Sequence, residues 1–177
     1  MRVTRRAAGG FAMIEVLASL LIASVGLIAL VALQARAAAF ELEASQRSQA
    51  LVLLQDMAER LSANRPRAAD YVAVDLGTGA PFECAALPTL AQRDLCEWSE
   101  RLRGAGVRRD GRDAGAMIGA RGCVAQDGAA RWVITVAWQG DVPSAPPATA
   151  CGRGAYGDES LRRAVSTVVR VADLTAP

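Results

Sequence analysis

The stretch Gly10-Phe11-Ala12-Met13-Ile14-Glu15-Val16-Leu17 decides how this chain is read. It joins an arginine-bearing leader ending in Gly-Gly to a bare aromatic. It also sets one carboxylate, Glu15, at the edge of an apolar run that reaches about Phe40. Residues 16–33 depart from strong apolarity only at Ser19, Ser24 and Gly26. As a helix they would extend roughly 27 Å, at a rise of about 1.5 Å per residue. The hydrocarbon core of a bilayer is ~30 Å thick, so the segment spans it with little mismatch, and the membrane span is placed at about residues 14–35. Arg5 and Arg6 put the N-terminus in the cytoplasm, and everything after Arg36 then faces the periplasm.

An ordinary secretory signal would also carry an apolar run, and Ala37-Ala38-Ala39 would satisfy its cleavage rule. This run exceeds the roughly 7–15 residues of such a signal, and Glu15 interrupts it. Arg5-Arg6 lacks the downstream residues of a twin-arginine signal. A carboxylate at the edge of a spanning helix costs several kcal/mol unless it finds a partner, so Glu15 reads as functional rather than as a residue solvated among headgroups. Cleavage between Gly10 and Phe11 would create an amine four residues before Glu15. That amine, in the same chain or a neighbouring one, could neutralise the carboxylate, and pairing between chains would fix an axial register.

No helix breaker follows Leu33 until Pro66. The spacing predicts one helix from about residue 11 to about 63, within a helical segment 11–64, closed at Asn64-Arg65-Pro66 because the position before proline disfavours helix. Such a helix is about 80 Å long. Its first half should protrude and its second half should pack on a domain formed by residues 65–177. Leu51, Leu54, Ala58 and Leu61, with Leu53 and Met57 alongside, form the expected buried stripe. Glu41, Glu43, Gln46, Arg47, Gln49, Asp56, Glu59 and Arg60 form the expected wet face.

Downstream, an irregular stretch holds Gly77, Gly79 and Pro81. Asp94-Leu95-Cys96-Glu97 reads as a capping box opening a short helix with Leu95, Trp98 and Leu102 on one face, ended by Gly104. Trp98 reads as core rather than as a stacking platform for a ligand. Residues 104–116 read as a mobile loop. Residues 117–124 and 131–138, joined through Asp127-Gly128, read as a β-hairpin. Alternation places Trp132, Ile134, Val136 and Trp138 on the face that should cover the helix. Residues 139–158 form a loop, and a last strand over 163–171 places Val165, Thr167, Val169 and Val171 on one face. The fold class is therefore α+β: a long N-terminal α-helix, transmembrane in its first half, packed by its second half on a small antiparallel β-sheet.

The inventory narrows function. The chain of 177 residues contains neither histidine nor lysine. Ser-His and Cys-His nucleophiles, histidine-metal sites, Schiff bases and P-loop lysines are thereby excluded. No catalytic, cofactor-binding or metal-binding residue is assigned, and the chain does not read as an enzyme. Formal charge is +2, and loss of the three leader arginines takes it to −1. That balance argues against a broad nucleic-acid footprint. A local cluster, Arg101, Arg103, Arg108, Arg109 and Arg112, is interrupted by Asp110 and Asp113 and reads as a solvated loop before an anionic contact. Cys84, Cys96, Cys123 and Cys151 all follow the apolar run, lack Cys-x-x-Cys spacing and read as two disulfides in an oxidising compartment. Three connectivities are open. Cys84 with Cys96 and Cys123 with Cys151 is the preferred hypothesis.

Residues 10–17 closely resemble the class III signal of type IV pilins and type II secretion pseudopilins, and the resemblance covers residues 1 to about 40. It implies that a prepilin peptidase removes leader residues 1–10 by cutting after Gly10, that Phe11 becomes the methylated terminus, and that Glu15 aids subunit docking. With lower specificity, Gln55-Asp56-Met57-Ala58-Glu59-Arg60-Leu61-Ser62-Ala63-Asn64, a cysteine ahead of a Trp-bearing helix, and Val133-Ile134-Thr135-Val136-Ala137-Trp138 resemble the PilV minor pilins. This implies a minor pilin incorporated into or priming a type IV pilus, supporting pilus biogenesis, twitching motility and adhesion. Implied partners are other major and minor pilins through the N-terminal helix, the prepilin peptidase, the inner-membrane assembly machinery and inner-membrane lipid. Implied locations are the inner membrane, in a single pass with the head in the periplasm, and then the pilus. The alternatives are a type II secretion minor pseudopilin and, in another class, a membrane-anchored adhesion or DNA-binding module. The apolar helix lacks the internal proline of many pilins and offers only Gly26 for a local bend.

Overall fold

The computed structural model describes residues 12–79, 83–104, 108–109, 112–113 and 117–172. The leader, Gly10, Phe11 and Pro81 lie outside the described residues. A single helix, α1, runs Met13–Ala63. Pro66 enters a 3-10 turn, Arg65–Tyr71, immediately after it. The chain divides into two compact units, Met1–Leu42 and Glu43–Pro177.

In the first unit every described residue is exposed, the apolar ones included. In the second, α1 buries Gln46, Ala50, Leu54, Met57 and Leu61. This stripe is rotated from the one the sequence suggests. Leu51 is 52% exposed, whereas Gln46, assigned to the wet face, is 6% exposed. The buried positions recur at intervals of four and three, which keeps one line of contact along the helix.

Helix α2 spans Leu90–Leu102 and starts earlier than its apolar spacing suggests. Thr89 is the N-cap: its hydroxyl accepts from the Gln92 N–H at 3.2 Å, and the Gln92 side chain accepts from the Thr89 N–H at 3.3 Å. The capping box is therefore Thr89/Gln92 and not Asp94/Glu97. Asp94 lies a full turn inside the helix and is buried. Gly104, at φ +83°, follows the end of α2, the left-handed conformation that glycine adopts without steric cost.

The main sheet contains β1 (Ala73–Leu76), β4 (Arg121–Gln126), β5 (Arg131–Gln139) and β6 (Arg162–Arg170) in the order β1-β4-β5-β6, all antiparallel. Strand β1 falls in the stretch expected to be irregular. It is short, and its register shifts around Asp75, which has φ 54°. Two further strands, β2 (Arg108–Arg109) and β3 (Arg112–Asp113), pair as a small ladder inside the expected loop. The hairpin's first strand begins at Arg121, not at residue 117, and Trp132, Ile134, Val136 and Trp138 are at most 5% exposed.

One core joins α1, α2 and the sheet. At its centre the Trp98 indole, fully buried, donates to the Leu53 carbonyl of α1 at 2.9 Å. The same ring lies over Gly122 of β4. A Cβ on Gly122 would fall inside the Trp98 ring contact and 2.6 Å from Leu102 Cδ1. Overpacking of this kind costs about 1–3 kcal/mol because close-packed neighbours cannot collapse away. Gly122→Ala is expected to destabilise the head by that amount, read as a lowered Tm by tryptophan fluorescence of the full chain. Val74→Ala, at a side chain 74% exposed, should stay within about 0.5 kcal/mol of the parent.

Candidate functional site: the N-terminal helix and its head

Glu15 occupies the first turn of α1. Acidic groups are favoured there because the unpaired N–H groups of the first turn carry partial positive charge. Its backbone N–H donates to the Ala12 carbonyl at 2.9 Å, and its own carbonyl accepts from the Ser19 hydroxyl at 2.7 Å. The Glu15 carboxylate has no partner among the described residues. Ser24 likewise turns its hydroxyl back to the Leu21 carbonyl at 2.8 Å, so the two polar interruptions hydrogen-bond along the helix. The outward surface is otherwise hydrocarbon, with Leu20, Leu21, Ile22, Val25, Leu27 and Ile28 each more than half exposed. By length and composition α1 can cross a membrane.

In the second unit, α1 is tied to α2 by a charged cluster. Arg60 Nη1 donates to Asp94 Oδ1 at 2.7 Å and to Glu97 Oε2 at 2.9 Å, and its Nε donates to Asp56 Oδ1 at 3.2 Å. Arg101 reaches the same Asp56 oxygen at 2.6 Å. The Tyr71 hydroxyl donates to Asp94 Oδ2 at 2.5 Å and accepts from Asn64 Nδ2 at 3.2 Å. Burial opposes charge on Arg60, but hydrogen bonds to Glu97, Asp56 and Asp94 outweigh it, so its pKa is raised. Asp56 and Arg60 were assigned to the wet face. Beyond their own i,i+4 pair, their partners Asp94, Glu97 and Arg101 lie on α2, which single-helix spacing cannot reveal.

A second device holds the loop between β5 and β6. Arg162, 1% exposed, donates to the carbonyls of Pro147 (3.0 Å), Thr149 (2.8 Å) and Cys151 (3.2 Å) and to Glu159 Oε2 (2.7 Å). Glu159 Oε1 accepts from the Gly154 N–H at 2.6 Å. That backbone bond first, and Arg162 second, hold the carboxyl below its ordinary pKa. Cys123 and Cys151 are disulfide-bonded, as are Cys84 and Cys96. Arg163 joins Glu43 of α1 at 2.7 Å to the Ser160 carbonyl at 3.1 Å and to the Val142 carbonyl. None of these arginine roles carries a local sequence signature. A twin arginine opening a β-strand is the one trace they leave.

Residues 32–97 match a family model described as type IV pilin Tt1218. No curated protein and no solved structure matches the chain at a significant level. The match spans the second half of α1, the 3-10 turn, β1 and the start of α2. With the α+β arrangement of a long N-terminal helix and a four-stranded antiparallel sheet, it supports a type IV pilin family and the role of a pilin subunit.

The phenols report on the head's integrity. Burial first, and the Asp94 hydrogen bond second, push Tyr71 up to about 12, and burial pushes Tyr156 up to about 12. A raised folded pKa contributes stability that is complete below the unfolded value near 10 and is lost as pH rises through about 12. Tyrosinate absorbance should therefore rise near pH 12 in the folded chain and near pH 10 in denaturant. A folded-state transition near pH 10 would show that these hydroxyls are not packed as described.

Proposed function

We propose that the chain is a PilV-like minor pilin, made with a leader that is removed after Gly10 and inserted through α1 into the inner membrane. The head then lies in the periplasm until the subunit enters a type IV pilus. The observation that carries this reading is the unbroken α1. Its described residues before Glu43 are all exposed and mainly apolar, whereas its later residues bury a stripe in the head core. A plain anchor needs only a span. A helix whose later residues also belong to the head core, Met13–Ala63 in one run, is what a filament subunit requires.

In this reading Glu15 is the docking carboxylate. Removed from water, it is stabilised by the amine of Phe11 in a neighbouring subunit, so that the correct axial register is the one that neutralises both charges. Methylation of Phe11 keeps that amine cationic. The prepilin peptidase, the inner-membrane assembly machinery and other pilins are the partners, and pilus biogenesis, twitching and adhesion are the processes served.

N-terminal sequencing of the membrane-extracted protein should begin at Phe11, carrying one added methyl group. An intact Met1, or cleavage near Ala39, would refute the pilin reading. Glu15→Ala should leave the head folded while lowering incorporation into sheared filaments by about tenfold or more, equivalent to about 1.4 kcal/mol of docking free energy. Undiminished incorporation would remove the docking role. Deletion should abolish twitching and surface pili. Loss of secreted enzymes with pili intact would instead assign the chain to a type II secretion pseudopilus.

A further inference from the structure

The two edges of the main sheet are built differently. Strand β1 has four residues, a register shift and a positive φ at Asp75, features that blunt an edge against further pairing. Strand β6 has nine residues, contains neither proline nor glycine, and keeps unbroken register with β5 from Arg131↔Arg170 to Gln139↔Arg162. Gly140 donates to the Leu161 carbonyl at 2.8 Å and Val171 to the Ala130 carbonyl at 3.0 Å, which bounds this ladder at both ends. Antiparallel residues alternate between bonding the partner strand and facing away from it. Arg163, Val165, Thr167 and Val169 therefore direct their backbone groups to β5. Arg162, Ala164, Ser166, Val168 and Arg170 direct theirs to the outer edge. The Arg162 N–H is taken by the Glu159 carbonyl. The remaining outward backbone groups have no backbone partner among the described residues.

We infer that β6 pairs antiparallel with β6 of a second copy of this chain, across a two-fold axis at Ser166, to give a continuous eight-stranded sheet. The register is self-complementary. Ser166 faces Ser166, and every outward-facing residue meets an outward-facing one, so the ladder of the second copy fits without a bulge. Val168, 54% exposed and in cross-strand register with Val133 and Ala125, meets the small Ala164, which packs on the Cys123–Cys151 cluster. A large side chain thus opposes a small one twice. The remaining pair is Arg170 with Arg162, where like charges would normally oppose pairing. Here the Arg162 guanidinium is buried and held by Glu159 and three carbonyls, so only one of the two cations lies at the surface. On the opposite face Val165 and Val169 pack only partly against the core, and a second β6 would cover what is left. This self-pairing does not depend on the chain's entering a filament.

The test is Ser166→Cys in the full-length chain, oxidised in intact membranes and run on a non-reducing gel. In a bonded antiparallel pair the Cα atoms are about 5.5 Å apart, within the disulfide range. The expected result is a disulfide-linked homodimer band. Val168→Pro added to Ser166→Cys removes only an outward N–H, so it should abolish the band while leaving the melting temperature of the head near that of the parent. Where the proline variant does not fold, Val168→Lys, which blunts an edge without altering the backbone, should abolish the band in its place. Ala125→Cys, on the sheet face away from the edge, should give no dimer. Absence of the Ser166→Cys dimer in folded protein would overturn the proposal. So would equal cross-linking from Ala125→Cys, persistence of the band in the folded Val168 variants, or a cross-link to a different polypeptide.

Discussion

The head depends on one ring. Trp98 brings α1, α2 and β4 to a single point, because its indole N–H bonds a helix carbonyl at Leu53 while its face lies on Gly122. A carbonyl already used within a helix accepts this second bond with its free lone pair, so α1 gives up nothing to be gripped. Any larger residue at position 122 would lift the ring and break that bond. Around this point the Arg60 cluster adds direction more than stability, since the cost of desolvating its charges offsets much of their attraction. One oxygen of Asp56, Oδ2, is buried without a partner, which fits a cluster that selects one helix pairing over another. The ring sets the distance between the helices, and the charges set their register.

The two halves of α1 obey different solvents. The described residues up to Leu42 are all exposed and mainly apolar, a surface that water disfavours but a bilayer or a bundle of like helices accepts. From Glu43 onward the helix has one apolar line and a charged remainder, the pattern of a helix on a folded domain. Glu43 itself is bound by Arg163, which also holds the carbonyls of Val142 and Ser160. Glu43, the first residue of the second unit, is thus also where the β5–β6 loop is fastened to the helix.

Legibility followed the range of the interaction. The α+β class could be read because a bilayer-length apolar run, a proline stop and a strictly alternating strand are each local patterns. The Thr89 cap is hidden in the sequence because Asp94-Leu95-Cys96-Glu97 offers the same signature five residues later. A buried carboxylate and a capping carboxylate look alike until Arg60 and Tyr71 are seen beside one of them. Strand β1 carries the weak pattern Ala-Val-Asp-Leu and forms because β4 supplies its partner. The second face of β5 is also closed to solvent, with Thr135 and Ala137 buried. It is covered by a loop that the Cys123–Cys151 bond and Arg162 fold back over it, and a covering loop leaves no periodicity in the strand it covers.

By itself the sequence determined where the chain is a helix too apolar for water, where proline stops that helix, which face of β5 is core, and that no histidine or lysine chemistry is available. These follow from composition and from repeats of two or three to four residues, which act within a few residues of one another. Only the tertiary structure decided which line along α1 is buried, which carboxylates are paired, and which sheet edge stays open. Each of those depends on groups tens of residues apart: Asp94 is 34 positions from Arg60, and Arg163 is 120 from Glu43. Contacts across such separations arise from the close packing of the whole head, and no local pattern encodes them.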